Sequence, residues 1–203
     1  MSTAKSPQQA PETDGRKLRT NDSRKKIVDA FLKLVYEGNI SPSAEEVAST
    51  ANVGLRTVFR RFNEMELLYR ELIIEVQARH LPTFLQPFTS SEWREQLNEM
   101  IDRKASAYEL LMPYRMAAKI YQHQSEFIKD NIARWNFSQR KMLELVLPFS
   151  SKKEPLKFAA IEVALSFDTW IQLRNEQKMS AKKSKQLIIY MMEIALGSDD
   201  IKK

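Results

Sequence analysis

Apolar residues recur at intervals of three and four along the chain from Asn21 onward. An α-helix turns once in about 3.6 residues, so this spacing places the apolar side chains on one helical face. The first such run ends before Gly38, a residue type that commonly terminates helices. Its apolar positions are Ile27, Ala30, Phe31, Leu34 and Val35. The sequence therefore predicts a first helix from Asn21 to about Gly38.

Two short helices and one longer helix are predicted next, each from local signals at its ends. Ser43 and Glu46 have the spacing of a capping box, in which the serine oxygen accepts a first-turn amide and the glutamate reaches back to the serine amide. The helix that starts at Ser43 is expected to break at Asn52, because asparagine tolerates the left-handed conformation of a tight turn. A third helix is predicted from Gly54 to Phe62, and a fourth from Asn63 to Leu81 and Pro82.

Five further helical segments are predicted between residue 83 and the C-terminus. Their spans are Trp93 to Leu111, Tyr114 to Gln122, Ser125 to Leu147, Ser151 to about Lys178, and Ser180 to Leu196. The first is expected to stop at Met112 and Pro113, and the fourth to begin with a capping box of Ser151 and Glu154, followed by Pro155. Only four of the 203 residues are glycine, which disfavours a turn-rich β architecture. We therefore predict an all-α protein of about nine helices.

The predicted helices divide the chain into three parts. Residues 1–20 carry Ser, Pro, Gln and Thr with almost no bulky apolar side chain, and such segments cannot offset the entropy of ordering. We predict a disordered arm at 1–20, a three-helix head with a helix-turn-helix plan at 21–68, and a helical-bundle body at 69–203.

The side-chain inventory argues against an enzyme. Cysteine is absent, and only His80 and His123 could serve as neutral nitrogen ligands or bases. We expect His80 at a helix end and His123 in a loop, both as ordinary surface residues. The sequence contains no glycine-rich phosphate loop, paired histidine motif or nucleophile elbow. We therefore expect no catalytic residues, no metal and no cofactor.

Charge and hydropathy bear on location and partners. No stretch approaches the roughly 20 apolar residues that span a bilayer, and the start Met1-Ser-Thr-Ala-Lys lacks the apolar segment of a signal peptide. We expect a cytoplasmic protein with no membrane partner. The formal net charge of +6 suits a polyanionic partner, although charge alone says little about fold.

The segment from Ser43 to Phe62 combines a capped helix, a tight turn and a short basic helix. Arginine can bridge the two major-groove acceptors of guanine or clamp a phosphate, and threonine can donate to a phosphate. The residues able to do so are Arg56, Thr57, Arg60 and Arg61. Small Gly54 would let the helix approach a duplex closely, and Val58 and Phe62, four apart, would anchor the helix to the other two. This arrangement predicts a helix-turn-helix that binds double-stranded DNA.

The residues Asn52-Val-Gly-Leu-Arg-Thr-Val-Phe-Arg-Arg-Phe-Asn-Glu-Met-Glu-Leu-Leu68 resemble the turn and recognition helix of the TetR family of transcriptional regulators. That family usually reads Gly-Val-x-x-x-Thr-Leu-Tyr-x-His/Tyr-Phe-x-x-Lys-Glu-x-Leu. The shared positions are Val53, Thr57, Phe62, Glu66 and Leu68. The resemblance covers about residues 22 to 75, and the run Trp170 to Ser180 is similar, less diagnostically, to the end of TetR-type bodies.

The resemblance implies a homodimeric regulator, by family default a repressor, that binds a palindromic operator and is released by a small-molecule effector. Three positions depart from the pattern: Asn52 replaces glycine, Phe59 tyrosine, and Met65 a lysine that commonly touches phosphate. Two phosphate contacts are therefore in doubt. Arg60 and Arg61 could replace them, as could the basic runs Arg16, Lys17 and Arg19, and Arg24, Lys25 and Lys26. The candidate DNA-binding residues are Lys25, Ser43, Gly54, Leu55, Arg56, Thr57, Phe59, Arg60 and Arg61.

The body is expected to hold the effector and the dimer interface. Methionine and aromatic side chains suit a lipophilic or aromatic ligand, and the candidate ligand-binding residues are Tyr108, Met112, Met116, Trp135, Met142 and Phe167. Arg115, Lys119 and Arg140 would favour an anion, but exposed basic residues explain them equally well.

The last two predicted helices are apolar nearly all round, so one face of each is expected to pack against a second copy in a four-helix interface. The candidate interface residues are Ala160, Ala164, Phe167, Ile171, Ile188, Met191 and Met192. An alternative to the effector-controlled regulator is a DNA-binding protein whose body binds a protein partner.

Overall fold

The computed structural model describes residues 14–62, 65–123 and 125–197. Regular structure in these ranges is entirely helical, which confirms the prediction of an all-α protein with about nine helices. The α-helices are α1 (Asp14–Tyr36), α2 (Ala44–Thr50), α3 (Leu55–Arg61), α4 (Met65–Phe84), α5 (Trp93–Tyr121), α6 (Glu126–Val146), α7 (Pro155–Ala164), α8 (Phe167–Ile171) and α9 (Ala181–Leu196). A π-helical turn, Gln172–Glu176, continues directly from α8.

The chain divides into two compact units, Met1–Leu72 and Ile73–Lys203. The N-terminal unit contains α1, α2, α3 and the first part of α4; the C-terminal unit contains the rest of α4 and α5 to α9. We predicted the boundary between residues 68 and 69, and the structure has it between 72 and 73.

The N-terminal unit has its own apolar core. Phe31 of α1 and Tyr69 of α4 are fully buried and meet edge to face, with ring centres 4.9 Å apart. The Tyr69 hydroxyl donates a hydrogen bond to the Ile40 carbonyl at 3.2 Å, so the polar end of this buried ring is satisfied. Val47 of α2 and Val58 of α3 are also fully buried, so both short helices contribute to the core of this unit.

The first helix begins earlier than the sequence pattern indicated. Residues 14–20 belong to α1, so the predicted disordered arm does not extend to residue 20. Arg, Lys and Leu in this stretch have good intrinsic helix propensity, which extends a helix already fixed by packing further along. Residues 1–13 lie outside the described part of the structure.

Two prolines lie inside helices that were expected to end at them. Pro82 falls within α4 and Pro113 within α5, so the two predicted segments Trp93 to Leu111 and Tyr114 to Gln122 form a single helix. An internal proline costs about 3 kcal/mol. On α5 the cost is offset because Leu111, Ala117 and Ala118, on both sides of Pro113, are buried.

The predicted long helix from Ser151 to Lys178 is broken after Ala164. Ser166 caps α8, where its Oγ accepts the Thr169 amide at 3.1 Å. The predicted capping box at the other end is absent: Glu154 is the N-cap of α7 without a side-chain bond, and the Ser151 hydroxyl donates to Glu144 of α6 at 3.0 Å. The core of the C-terminal unit lies where α5, α7, α8 and α9 meet, around the fully buried Trp170, Phe158 and Ile161.

Candidate nucleic-acid interface and ligand cavity

The start of α2 is fixed by the predicted capping box. The Glu46 amide donates to Ser43 Oγ at 3.2 Å, and the Ser43 amide donates to Glu46 Oε2 at 2.7 Å. The Asn39 side-chain amide also donates to Glu46, at 3.1 Å. These bonds, that of the Ser43 backbone foremost, lower the pKa of Glu46, so the box is fully formed at neutral pH.

The turn between α2 and α3 has the geometry that its asparagine indicated. Asn52 has φ +52°, in the left-handed region, and the Val53 amide donates to the Ala48 carbonyl at 3.0 Å. Gly54 is the N-cap of α3 with an ordinary φ of −67°, and a β-carbon placed on it would meet no atom within 4 Å. The fold of this unit therefore does not itself require glycine at position 54.

Helix α3 has one buried and one exposed face. Val58 and Phe62 are buried at 0% and 2% exposure, and α3 packs on α1 and α2 as predicted. The opposite face exposes four of the candidate DNA-binding residues in a continuous stripe: Leu55, Arg56, Phe59 and Arg60. Within the described ranges, neither Arg56 nor Arg60 forms an ion pair, so both guanidinium groups face solvent without a protein anion.

Two other candidates on α3 lie beside this stripe rather than on it. Thr57 is half-buried. Arg61 is also half-buried, and its Nε donates to Ser23 Oγ of α1 at 3.2 Å. The Arg61 side chain thus ties α3 to α1, which makes it a poorer replacement for a missing phosphate contact than the sequence suggested.

The basic run on α1 divides in the same way. Arg24 forms an ion pair with Glu71 and lies over the Phe62 ring, 5.1 Å from its centre, and Lys26 pairs with Asp22 at 2.8 Å. Lys25 is exposed, and no ion pair involves it in the described part of the chain. Of the three cations, Lys25 alone has no ion pair among the described residues. At Arg16, Lys17 and Arg19 only the helical backbone of α1 is described.

A cavity of about 250 Å³ opens in the C-terminal unit between α5, α6, α7 and α8. Three of the six candidate ligand-binding residues line it: Tyr108, Trp135 and Phe167. The three methionines do not. Met112 and Met142 pack against the core instead, and the sulfur of Met116 accepts a hydrogen bond from the Asn175 amide at 3.4 Å.

One wall of the cavity carries a buried lysine. Lys104 of α5 is 5% exposed, and its Nζ donates to Tyr108 Oη at 3.3 Å and to Gln139 Oε1 of α6 at 2.5 Å. Tyr108 in turn donates to the Leu165 carbonyl at 3.0 Å. Burial, with a smaller contribution from Arg115, lowers the pKa of Lys104 from 10.5 to about 7, and burial raises the pKa of Tyr108.

Arg115, which is half-buried, is the second unpaired cation in the cavity wall. Its guanidinium carbon lies 4.3 Å from the centre of the Phe167 ring and 5.8 Å from that of Trp135. Burial lowers its pKa, but a guanidinium remains charged at neutral pH. The sequence left open whether Arg115 is an exposed residue, and the structure has it as part of the cavity wall.

The two carboxylates in the wall are already paired. Glu162 forms an ion pair with Arg140, and Asp168 with Lys119. Within the described residues, Lys104 and Arg115 form none.

Sequence reasoning missed Lys104, Gln139 and Glu162 as cavity residues. The pattern that could have identified Lys104 is its place on the apolar face of α5, four residues before Tyr108 and between Ile101 and Leu111.

An exposed apolar face lies on α7 and α9, which pack directly on each other. It is lined by Ala159, Ala160, Val163, Ala164, Thr169, Met191, Ile194 and Ala195. Ala160, Ala164 and Met191 are three of the seven candidate interface residues.

The other four interface candidates do not line this face. Phe167, Ile188 and Met192 belong to the core of a single chain, each no more than 4% exposed, and Ile171 packs against that core. The apolar pattern of these helices was right, but it could not separate the face that packs within the chain from the face left exposed.

Neither histidine lines the cavity between α5, α6, α7 and α8. His80 lies within α4, and His123 lies next to Gln122, its ring nitrogen 3.1 Å from the Gln122 amide. The described residues contain no cluster of three or more His, Cys, Asp or Glu able to hold a metal ion. Over the same residues, no helix has the length and apolar character needed to cross a membrane. Comparisons with protein-family models, curated proteins and solved structures found no match.

Proposed function

We propose that the protein is a dimeric, sequence-specific DNA-binding regulator whose affinity for DNA changes when a small molecule binds the cavity. The observation that carries this proposal is the exposed stripe on α3. Arg56 and Arg60 stand there without protein anions, directly after a tight turn and opposite the buried Val58 and Phe62. The resemblance of residues 52–68 to the TetR recognition helix supports the same function.

In this proposal α3 enters the major groove. Arg56 and Arg60 lie one helical turn apart, and each could bridge the N7 and O6 acceptors of a guanine. Phe59 and Leu55, at 48% and 37% exposure, are apolar side chains of the kind that contact thymine methyl groups. Lys25 on α1 would bind a backbone phosphate, which fixes register without reading sequence.

Two copies would bind through the apolar face of α7 and α9. An operator with two half-sites requires two recognition helices about 34 Å apart, and a two-fold symmetric dimer supplies them. Ala159, Ala160 and Ala195 are small enough for helices of a second copy to approach closely. Val163 lines both this face and the cavity, so a ligand there would contact a helix of the dimer interface.

The ligand would act through its different affinities for the DNA-competent and DNA-incompetent geometries, and each 1.4 kcal/mol or so of that difference changes DNA occupancy about tenfold. Repression is the outcome we expect, since a dimer bound at an operator blocks access to it. The cavity favours a small-molecule effector over a protein partner, because a recess of about 250 Å³ has the size of a small molecule.

The test is selection of bound duplexes from a random DNA pool at a fixed salt concentration. Wild-type protein is compared with Arg56→Ala/Arg60→Ala and with Lys129→Ala/Arg134→Ala, which removes the same charge from the exposed surface of α6. We expect a palindrome from the wild type and the α6 variant, and none from the α3 variant. Failure of the wild type to enrich any sequence, or equal enrichment by all three proteins, would refute the proposal.

A further inference from the structure

The cavity wall carries more positive charge than the carboxylates of the described residues pair. Its charged wall residues are Lys104, Arg115, Arg140, Glu162 and Asp168. Both carboxylates pair directly with other cations, Glu162 with Arg140 and Asp168 with Lys119. Lys104 and Arg115 are the two cations left over.

An unpaired buried charge is unfavourable, and proteins normally pair it or expose it. The hydrogen bonds of Lys104 go to Tyr108 and Gln139, which are neutral, and Arg115 lies over the aromatic rings of Phe167 and Trp135. These contacts position both groups without neutralising them. Packing alone would be served better by an apolar side chain at the buried position 104, and Arg115 in the same wall adds a second cation without an ion pair, so the two charges point to an anion supplied from outside.

The rest of the cavity is suited to an apolar group of limited size. Tyr108 and Phe167 meet edge to face with ring centres 5.2 Å apart, and Trp135 and Leu143 add further apolar wall. A dry apolar cavity of roughly 150 Å³ takes benzene. A cavity of about 250 Å³ therefore has room for one ring that carries an acid group.

We propose that the effector is a compact organic anion, an acid group on a single aromatic ring or an apolar group of similar size. Lys104 and Arg115 bind the acid group, and Tyr108, Trp135 and Phe167 contact the ring. This inference rests on the function proposed above for its regulatory meaning, but the binding itself can be measured without DNA.

A neutral or cationic ligand fits these walls less well. A neutral aromatic molecule would leave both cations unpaired, and an organic cation would be repelled by them. Gln139 and Asn136 also line the cavity and offer amide groups for additional hydrogen bonds to a carboxylate.

The experiment measures binding of matched probes by calorimetry to the full-length protein. The probes are benzoate and phenylacetate, their neutral amides benzamide and phenylacetamide, and benzylamine. The proteins are wild type, Lys104→Met, Arg115→Gln and, as a control, Lys129→Met, which removes an exposed lysine of α6 away from the cavity. Circular dichroism establishes that each variant is folded, and Arg115→Lys provides a charge-preserving variant should Arg115→Gln fail to fold.

We expect at least one carboxylate to bind the wild type about tenfold or more tightly than its amide, a difference of about 1.4 kcal/mol. Lys104→Met and Arg115→Gln should each weaken that binding about tenfold, whereas Lys129→Met should leave it unchanged and Arg115→Lys should retain part of it. Equal affinity for acid and amide, full binding by Lys104→Met, or no carboxylate binding to the wild type would each overturn the inference.

These outcomes are separate from those of the DNA selection. If carboxylates bind but no DNA sequence is enriched, the anion site is supported and its role in gene regulation is refuted. If a palindrome is enriched but no carboxylate binds, the proposed function is supported and only the assignment of its effector is refuted.

Discussion

The ammonium nitrogen of Lys104 lies 3.3 Å from the phenolic oxygen of Tyr108, one turn further along α5, and that phenol donates to the Leu165 carbonyl at 3.0 Å. The two side chains thus link the middle of α5 to the segment between α7 and α8. The link holds a buried charge that forms no ion pair within the described residues. This charge therefore lowers the stability of the protein and would favour the binding of the proposed anion.

The stability of the protein should rise with pH above about 7. Burial lowers the pKa of Lys104 from 10.5 to about 7 in the folded protein, so between these values the unfolded chain binds more protons than the folded one. The free energy of unfolding therefore increases with pH across that window. Below about pH 7 Lys104 is charged in both states, and its full destabilising effect on the folded protein is present.

Lys104→Met should remove this dependence. At pH 6 we expect it to raise the free energy of unfolding by about 1–3 kcal/mol, since an apolar side chain replaces an unpaired buried charge. This increase in the free energy of unfolding should become smaller towards pH 9. Urea unfolding at pH 6, 7.5 and 9 measures both effects, with Lys129→Met as the control. Parallel stability curves for wild type and Lys104→Met would contradict the prediction.

Glu109 of α5 should be needed to hold α8 and the π-helical turn in place. Its Oε1 accepts from Trp170 Nε1 at 2.8 Å and from Arg174 Nε at 2.7 Å, and its Oε2 accepts from Arg174 Nη2 at 3.0 Å. Burial by itself raises the pKa of Glu109, but the bonds from Arg174 and Trp170 outweigh it, so the pKa is lowered. The stability from this carboxylate is present above its unfolded pKa and is lost as pH falls through the folded pKa.

Glu109→Gln should lower the free energy of unfolding at pH 7 by about 1–3 kcal/mol, because charge-assisted hydrogen bonds are lost. The difference in free energy of unfolding between Glu109→Gln and wild type should become smaller at acidic pH. Glu193→Gln, at an exposed position of α9 with no ion pair in the described ranges, should change stability by less than about 0.5 kcal/mol. Urea unfolding at pH 7 and pH 4 measures these differences. If Glu109→Gln has the same free energy of unfolding as wild type at pH 7, the prediction is wrong.

The N-terminal unit was predictable because its short helices are defined by local signals. The capping box of Ser43 and Glu46, the left-handed Asn52 and the buried pair Val58 and Phe62 each depend on residues a few positions apart. Interactions of this range can be read directly from the order of the residues.

What the sequence could not provide depends on contacts between distant segments. Helix α5 continues through Pro113 because other helices bury both of its halves, and Arg24 forms an ion pair with Glu71, far along the chain. The apolar pattern of α7 and α9 likewise gave no means of separating the buried Ala164 and Ile188 from the exposed Ala160. Each of these depends on which helices become neighbours.

Asn52 should be replaceable by glycine but not by alanine. At φ +52° a β-carbon is strained, asparagine tolerates the conformation better than other residues, and glycine adopts it freely. Asn52→Ala should lower the free energy of unfolding by about 1 kcal/mol, and Asn52→Gly should match or exceed the wild type. Urea unfolding of both variants measures their free energies of unfolding. An equal decrease in both would indicate that the asparagine side chain, and not the backbone conformation, determines stability at this position.

Arg24 and Lys25 should have separable roles despite their adjacency. Arg24→Met removes the ion pair with Glu71 and the contact with Phe62, so we expect a loss of about 1 kcal/mol in stability. Lys25→Met should leave stability unchanged and reduce the slope of log affinity for DNA against log salt by about 0.9, the value for one phosphate contact. An unchanged slope for Lys25→Met would exclude its phosphate contact, and unchanged stability of Arg24→Met would exclude a structural role for that pair.

A charge on the exposed face of α7 and α9 should dissociate the proposed dimer. Ile194 is 63% exposed on this face, whereas Leu145 of α6 is 85% exposed and lies outside it. In a two-fold interface every substitution occurs twice, so Ile194→Glu places two carboxylates in one apolar contact, while Leu145→Glu changes an isolated surface residue. Light scattering after gel filtration should give a monomer mass for Ile194→Glu and a dimer mass for Leu145→Glu and wild type. The Ile194→Glu monomer should also lose selection of a palindrome while keeping its helical content, since each N-terminal unit has its own core. A dimer mass for Ile194→Glu would show that the dimer interface lies on another surface. Two buried carboxylates without partners would destabilise an interface on this face by more than a small apolar contact stabilises it.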